Sequence, residues 1–111
     1  MSKNKKIFYA FPECLPSRHA RGVSVVNTVH EWLDINADLT LLLDSPSSLD
    51  DINRYYDVDI AGENVSTLSK RFIIKSNRVY VARIKRLIKR NPGCVVYTRH
   101  LKIADQILLD Q

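Results

Sequence analysis

The sequence lacks the features that mark several large classes of protein. Among its 111 residues are three Gly and four Pro, too few for a collagen-like or low-complexity chain. No stretch approaches the run of about 20 apolar residues that a membrane-spanning helix needs. The apolar run at 7–11, which follows a basic N-terminus, is also too short for a secretory signal. We therefore expect a cytoplasmic protein.

Metal-binding and catalytic signatures are missing as well. Cys14 and Cys94 lie far apart without CxxC spacing, which argues against a zinc site or a disulfide framework. The motifs GxGxxG, GxxxxGK, GxSxG and HExxH are absent, so the sequence identifies no catalytic residue and no cofactor. Three acids near the second apolar run, Asp44, Asp50 and Asp51, fit the start of a helix better than a metal site.

No acidic residue lies between Lys70 and Lys102, where basic residues are frequent. In 31–63, by contrast, most of the charged residues are acidic. The net charge is +5, and its uneven placement suggests an anionic partner: a membrane surface, a nucleotide or a nucleic acid. A solvated helix face is the alternative explanation for the basic half.

Apolar runs alternate with amphipathic segments along the chain. Uninterrupted apolar runs predict buried strands at 7–11, 39–43 and 94–97, with a weakly patterned strand near 64–68. Apolar residues at helical spacing predict helices at 23–34, 48–56 and 76–90, and a last helix that begins near 103. Ser48 and Ser76 are the expected N-caps of the second and third helices. The order predicts an α/β fold: one domain over residues 1–111 with a Rossmann-like parallel sheet, helices on both faces and strand order 3-2-1-4.

In such a sheet the ligand crevice lies at the carboxyl ends of the strands where the strand order reverses, here between the first and fourth strands. A basic loop follows each of these two strands, and the first loop leads into a helix N-terminus. Free N–H groups and cations together suit a phosphate or diphosphate. The candidate binding residues are Arg18, His19, Arg21, Gly22, Arg99 and His100. Taken singly, each is also explained as a solvated loop residue or a turn glycine.

The predicted helix at 76–90 has an apolar side and a basic ridge opposite it. The ridge consists of Arg83, Lys85, Arg86, Lys89 and Arg90. Such a ridge could hold the protein at an anionic membrane, where each cation contributes roughly 1 kcal/mol, although a solvated helix face explains it equally well. Exposed aromatic residues for base stacking are missing from it, which argues against nucleic acid as the partner.

Most of the sequence resembles a known enzyme family. The strand Lys5-Lys6-Ile7-Phe8-Tyr9-Ala10-Phe11, a Pro-containing loop, Arg21-Gly22-Val23 and the strand at 39–43 resemble the N-terminal domain of GT-B glycosyltransferases of the group 1 type. In that family the loop after the first strand is commonly marked by a Gly-Gly pair, where this chain has Arg21-Gly22. The segment at 95–100 is similar to the family's later strand, whose end faces the cleft and often carries Arg or His.

The resemblance implies the acceptor-side segment of an enzyme that uses a nucleotide-sugar donor and a sugar or lipid-linked acceptor. A second Rossmann-like domain binds most of the donor in that family. We therefore expect these residues to be an incomplete half of such an enzyme, inactive alone and prone to self-association through exposed apolar surface. The alternative is a stand-alone Rossmann-like module that binds a phosphorylated ligand or a protein partner without catalysis.

Overall fold

Four parallel strands form one sheet with helices on both faces. The computed structural model describes residues 5–13, 15, 16, 20–43, 48–68, 77–99, 104, 105 and 107. Its elements in chain order are β1 (Lys6–Phe11), α1 (Ala20–Asp34), β2 (Asp38–Leu43), α2 (Leu49–Tyr56), a 3₁₀ turn (Gly62–Asn64), β3 (Val65–Thr67), α3 (Asn77–Arg90) and β4 (Val95–Tyr97). The strand order is β3-β2-β1-β4, which confirms the predicted order and the Rossmann-like parallel sheet.

Strand β1 occupies the middle of the sheet and pairs in parallel with β2 on one side and β4 on the other. Tyr9 in β1 lies opposite Leu41 of β2 and Tyr97 of β4. The carboxyl ends of β1 and β4 are therefore adjacent. From β1 the chain continues to β2 on one side, while β4 lies on the other side, so the strand order reverses here and a ligand crevice is expected at this point.

Side chains alternate across β1 and build a core on each face of the sheet. Tyr9 and Phe11 pack with α1 and α2 on one face, here called the α1 face. Phe8 and Ala10 pack with the apolar side of α3 on the other face, the α3 face. Strand β2 is buried from Leu39 to Leu43, as expected for a strand covered on both sides. Half-buried Trp32 and Cys94 pack against the α1-face and α3-face cores respectively.

Helix α2 begins where the sequence predicts. The Ser48 side chain accepts a hydrogen bond of 3.3 Å from the Asp51 backbone N–H, which is the geometry of an N-cap. Asp50 and Asp51 lie in the first turn, where the helix dipole stabilises negative charge. These two acids therefore have a structural role, while Asp44 lies outside the described residues.

Helix α1 begins at Ala20, three residues before the predicted start at Val23. Ala and Arg are strong helix formers, so the helix extends back through Arg21 and Gly22. These two residues were expected in the preceding loop and instead lie in the first turn, with Gly22 buried. The predicted N-cap Ser76 of α3 lies outside the described residues, as does Cys14.

The last part of the chain is described at three positions. Residues 104, 105 and 107 have helical backbone, in agreement with the predicted final helix. No helix in the described ranges is long and apolar enough to cross a membrane.

Candidate anion-binding site

A cavity of about 390 Å³ lies where β1 and β4 end. Its volume falls within the range of roughly 300 to 1,000 Å³ that is usual for small-molecule sites. The lining residues come from the end of β1, the loop after it, the start of α1 and the segment that follows β4. They are Tyr9, Ala10, Phe11, Glu13, Ala20, Arg21, Ser24, Val25 and Arg99. The cavity therefore occupies the predicted crevice.

The cavity lining has an apolar part and a charged part. Its charged residues are Arg21, Arg99 and Glu13, and Ser24 adds a hydroxyl. Two cations and one carboxylate leave the described lining with a net positive charge. The start of α1 adds partial positive charge, because the first N–H groups of a helix have no acceptor within it. These features favour an anionic ligand.

Arg99 extends from the end of β4 toward α1. Its Nη1 donates a hydrogen bond of 2.6 Å to Ser24 Oγ. Thr98 Oγ1 donates to the Ala10 carbonyl oxygen at 2.9 Å, which fixes the preceding residue against the end of β1. Arg99 forms no ion pair with any described residue, so its positive charge stays available at the cavity.

Arg21 is partly neutralised. Its Nε lies 2.7 Å and 2.9 Å from the two carboxylate oxygens of Glu13. A cation in the first turn of a helix is opposed by the helix dipole, and the Glu13 carboxylate offsets this repulsion. The pairing uses Nε, and no described residue accepts a hydrogen bond from the two terminal nitrogens. Arg21 therefore keeps donors that can reach a ligand.

Tyr9 lines the cavity with a buried ring. Its hydroxyl has no hydrogen-bond partner among the residues that the structure describes. Burial raises the pKa of Tyr9 above its ordinary value and nearby Tyr97 adds to the rise, while the Arg99 guanidinium opposes it. The ring packs at a centroid distance of 4.9 Å from Tyr97 and 6.1 Å from Trp32. The phenol therefore stays protonated at neutral pH.

The structure brings together two of the six predicted binding residues. Arg21 and Arg99 both line the cavity, although they are far apart in sequence. Gly22 is the third residue of α1 and is absent from the lining. Arg18, His19 and His100 lie outside the described residues.

Sequence reasoning missed Tyr9, Glu13 and Ser24 as lining residues. The apolar run at 7–11 predicts a buried strand, and this prediction does not consider that a buried tyrosine hydroxyl needs a hydrogen-bond partner. Glu13 follows the predicted first strand and Ser24 lies in the predicted helix at 23–34, and neither is among the candidate binding residues. The tyrosine in an otherwise apolar strand was the one available signal.

The basic ridge forms as predicted on the outer side of α3. Arg83, Arg86, Lys89 and Arg90 are exposed, and Lys85 is half-buried. Tyr80, Val81 and Ile84 on the other side of the helix are buried in the α3-face core. The four exposed cations form no ion pair with any described acid. Lys89 and Arg90 also lie in the last turn, where cations stabilise the negative end of the helix dipole. This role explains the presence of these two cations even if no anionic ligand binds.

Comparison with known proteins adds no assignment. A scan against protein-family models, a search of curated proteins and a search of solved structures each found no match. Within the described ranges, no three His, Cys, Asp or Glu residues come together in a way that could hold a metal ion. The site is therefore interpreted from its own geometry.

Proposed function

We propose that this chain binds the phosphate group of a small ligand in the cavity at the ends of β1 and β4. The observation that carries the proposal is Arg99, a cation held at the cavity by Ser24 and without an ion-pair partner among the described residues. Arg99 enters from one strand end and the first turn of α1 from another, so donors reach the cavity from two sides. Phosphate accepts several charge-assisted hydrogen bonds at once, which suits this arrangement.

The more specific form of the proposal is an acceptor-side segment of a glycosyltransferase that uses a nucleotide-sugar donor. The sequence resemblance suggests it, and a charged cavity at the end of β1 is compatible with it. The resembled enzymes bind most of the donor with a second Rossmann-like domain, so transfer would require that domain. If the chain is part of such an enzyme, the substrates are a nucleotide sugar and a sugar or lipid-linked acceptor.

The alternative is a stand-alone module that binds a phosphorylated ligand without catalysis. The net positive cavity supports it equally, because phosphate recognition is common to both forms. The two forms differ in whether a second domain works with this one. Mass spectrometry of the natural gene product separates them: a second Rossmann-like domain supports the transferase, and a product of 111 residues rules out a self-sufficient one.

Phosphate binding itself is tested by isothermal titration calorimetry of the full chain with inorganic pyrophosphate and uridine diphosphate glucose. We expect binding of both, and a loss of roughly tenfold or more in affinity for Arg99→Gln, because a hydrogen bond from a charged group contributes about 1.5 to 3 kcal/mol. Arg54→Gln is the matched control, since Arg54 is exposed on α2 and absent from the cavity lining. Equal affinities for the two variants would contradict a site at Arg99.

We also propose that the exposed ridge of α3 attracts anionic membrane surfaces. Its four exposed cations, which pair with no acid in the described part of the chain, carry this second proposal, since each contributes roughly 1 kcal/mol near such a surface. The ridge lies on the α3 face, whereas the cavity is built against α1 on the other face of the sheet. The two sites therefore act independently and are tested separately.

A further inference from the structure

The hydroxyl of Tyr9 is a polar group that the packing of the described residues does not explain. Tyr9 is 1% exposed, and its hydroxyl has no hydrogen-bond partner in the described part of the chain. An unpaired buried hydroxyl costs folding free energy, so such groups are rare in folded proteins. Tyr80 on the α3 face has the usual arrangement: its hydroxyl donates to the Leu42 carbonyl oxygen at 2.6 Å.

The aromatic packing around Tyr9 does not need the oxygen. Its ring lies edge-on to Tyr97 and tilted against Trp32, and both contacts are made by ring atoms. A phenylalanine would keep them. The hydroxyl is thus a candidate for ligand binding, since the residue that carries it lines the cavity.

No described group accepts the proton of this hydroxyl. The Arg99 guanidinium acts on the Tyr9 phenol both electrostatically and as a hydrogen-bond donor to its oxygen. Because Arg has only N–H donors, Arg99 gives the phenol proton no acceptor. Ser24 Oγ already accepts a hydrogen bond from Arg99. The Tyr9 proton is retained at neutral pH because burial raises the pKa of the phenol. A ligand oxygen with negative charge would accept hydrogen bonds from Tyr9 and Arg99 together.

The rest of the lining near these donors is apolar. Ala10, Phe11, Ala20 and Val25 have side chains that form no hydrogen bonds. Inorganic phosphate would leave this part of the cavity to water, whereas the carbon skeleton of an organic phosphate would cover apolar surface. A cavity of about 390 Å³ also exceeds the space that a single phosphate needs.

We propose that the cavity selects an organic phosphate monoester, whose phosphate accepts hydrogen bonds from Tyr9 and Arg99 and whose uncharged part packs on Phe11 and Val25. The inference rests on the proposed phosphate-binding function and adds the ligand class and the role of Tyr9. In this site Tyr9 is a specificity-determining residue, because it would add a hydrogen-bond donor to a lining that is otherwise largely apolar.

The test compares phenyl phosphate with inorganic phosphate on the full chain. Trp32 is the only tryptophan in the sequence and packs against the Tyr9 ring, so its fluorescence reports on the site. Calorimetry provides affinities that do not depend on this readout. We expect phenyl phosphate to bind at least about tenfold more tightly than inorganic phosphate, because it buries a ring. Tyr9→Phe should weaken phenyl phosphate binding by about tenfold through the lost hydrogen bond.

Tyr97→Phe is the matched control, since Tyr97 contacts the Tyr9 ring but is absent from the cavity lining. Its affinity for phenyl phosphate should equal that of the unmodified chain. If Tyr9→Phe binds phenyl phosphate as tightly as the unmodified chain, or if the two phosphates bind equally, the inference is wrong and the phosphate site stands. If neither phosphate binds, the proposed function and the inference both fail. Thermal melts of each variant establish that it is folded.

Discussion

Arg99 Nη1 donates a hydrogen bond of 2.6 Å to Ser24 Oγ, which joins the end of β4 to the beginning of α1 across 75 residues of sequence. The contact places a cation from one loop against the helix that follows the other loop. Arg21 and Arg99 line one cavity because β1 and β4 are adjacent parallel strands. The basic character of the site therefore results from the strand order.

Removal of the Glu13 carboxylate should strengthen anion binding. Glu13 pairs with Arg21 at 2.7 Å and is the one acid in the described cavity lining. Glu13→Gln keeps the size of the side chain and removes its negative charge, so we expect pyrophosphate affinity to rise about fivefold, as for one partly exposed charge worth roughly 1 kcal/mol. Glu31→Gln, on the exposed side of α1, is the control with the same change in net charge. If the control raises affinity as much, the effect is one of overall charge and Glu13 has no special place in the site.

Tyr9→Phe should stabilise the unliganded protein. The substitution removes a buried hydroxyl that has no partner among the described residues and keeps the ring contacts, so we expect the free energy of unfolding to rise by about 1 kcal/mol. Tyr80→Phe should lower it by about 1 kcal/mol, because it removes the hydrogen bond to the Leu42 carbonyl oxygen. Urea denaturation of the two variants measures both values. A loss of stability in Tyr9→Phe would indicate that the hydroxyl has a structural partner and would remove the argument for its role in binding.

The raised pKa of Tyr9 predicts a loss of stability at high pH. The folded state holds the phenol proton more tightly than the unfolded state, whose pKa is near 10.0. Below pH 10 the phenol keeps its proton in both states. As the pH rises through the folded-state pKa, the unfolded state loses the proton first and the free energy of unfolding falls. Unfolding free energies at pH 8 and pH 10.5 should therefore differ more for the unmodified chain than for Tyr9→Phe. An identical pH dependence in the two proteins would show that Tyr9 does not titrate differently in the folded state.

The ridge on α3 should bind anionic vesicles in a salt-dependent way. Arg83→Gln with Arg86→Gln removes two exposed cations, and we expect partitioning onto phosphatidylserine vesicles to fall about 25-fold, or fivefold for each charge. Lys5→Gln with Arg54→Gln changes the net charge equally at exposed positions outside α3 and should have a smaller effect. Sedimentation with vesicles in low and high salt measures this. Equal effects of the two double variants, or tighter binding to duplex DNA than to vesicles, would exclude the ridge as a membrane surface.

Much of the fold could be predicted because the apolar pattern is strong. Strands such as 39–43 are uninterrupted apolar runs, and helix α3 separates buried Tyr80 and Ile84 from exposed Arg83 and Arg86. The start of α1 was predicted three residues late because a glycine before a Val-rich segment is typical of a turn. Gly22 lies in the first turn of the helix because of tertiary packing, which the local sequence pattern does not indicate.

The site could be predicted only at the level of topology. Strand order placed Arg21 and Arg99 at the same crevice, and the structure brings both to the cavity. The pairing of Arg21 with Glu13 and the contact of Arg99 with Ser24 depend on side-chain geometry that spacing does not determine. The lack of a described partner for the Tyr9 hydroxyl likewise depends on how the side chains around it pack.

The most direct measurement is a map of amide chemical-shift changes in the ¹⁵N-labelled full chain as pyrophosphate is added at constant ionic strength. We expect saturable changes to concentrate at residues 9–11, at Glu13, at the start of α1 and at Thr98 and Arg99, with little change along the ridge of α3. Changes confined to α3, or no saturable change at any residue, would contradict a phosphate site between β1 and β4.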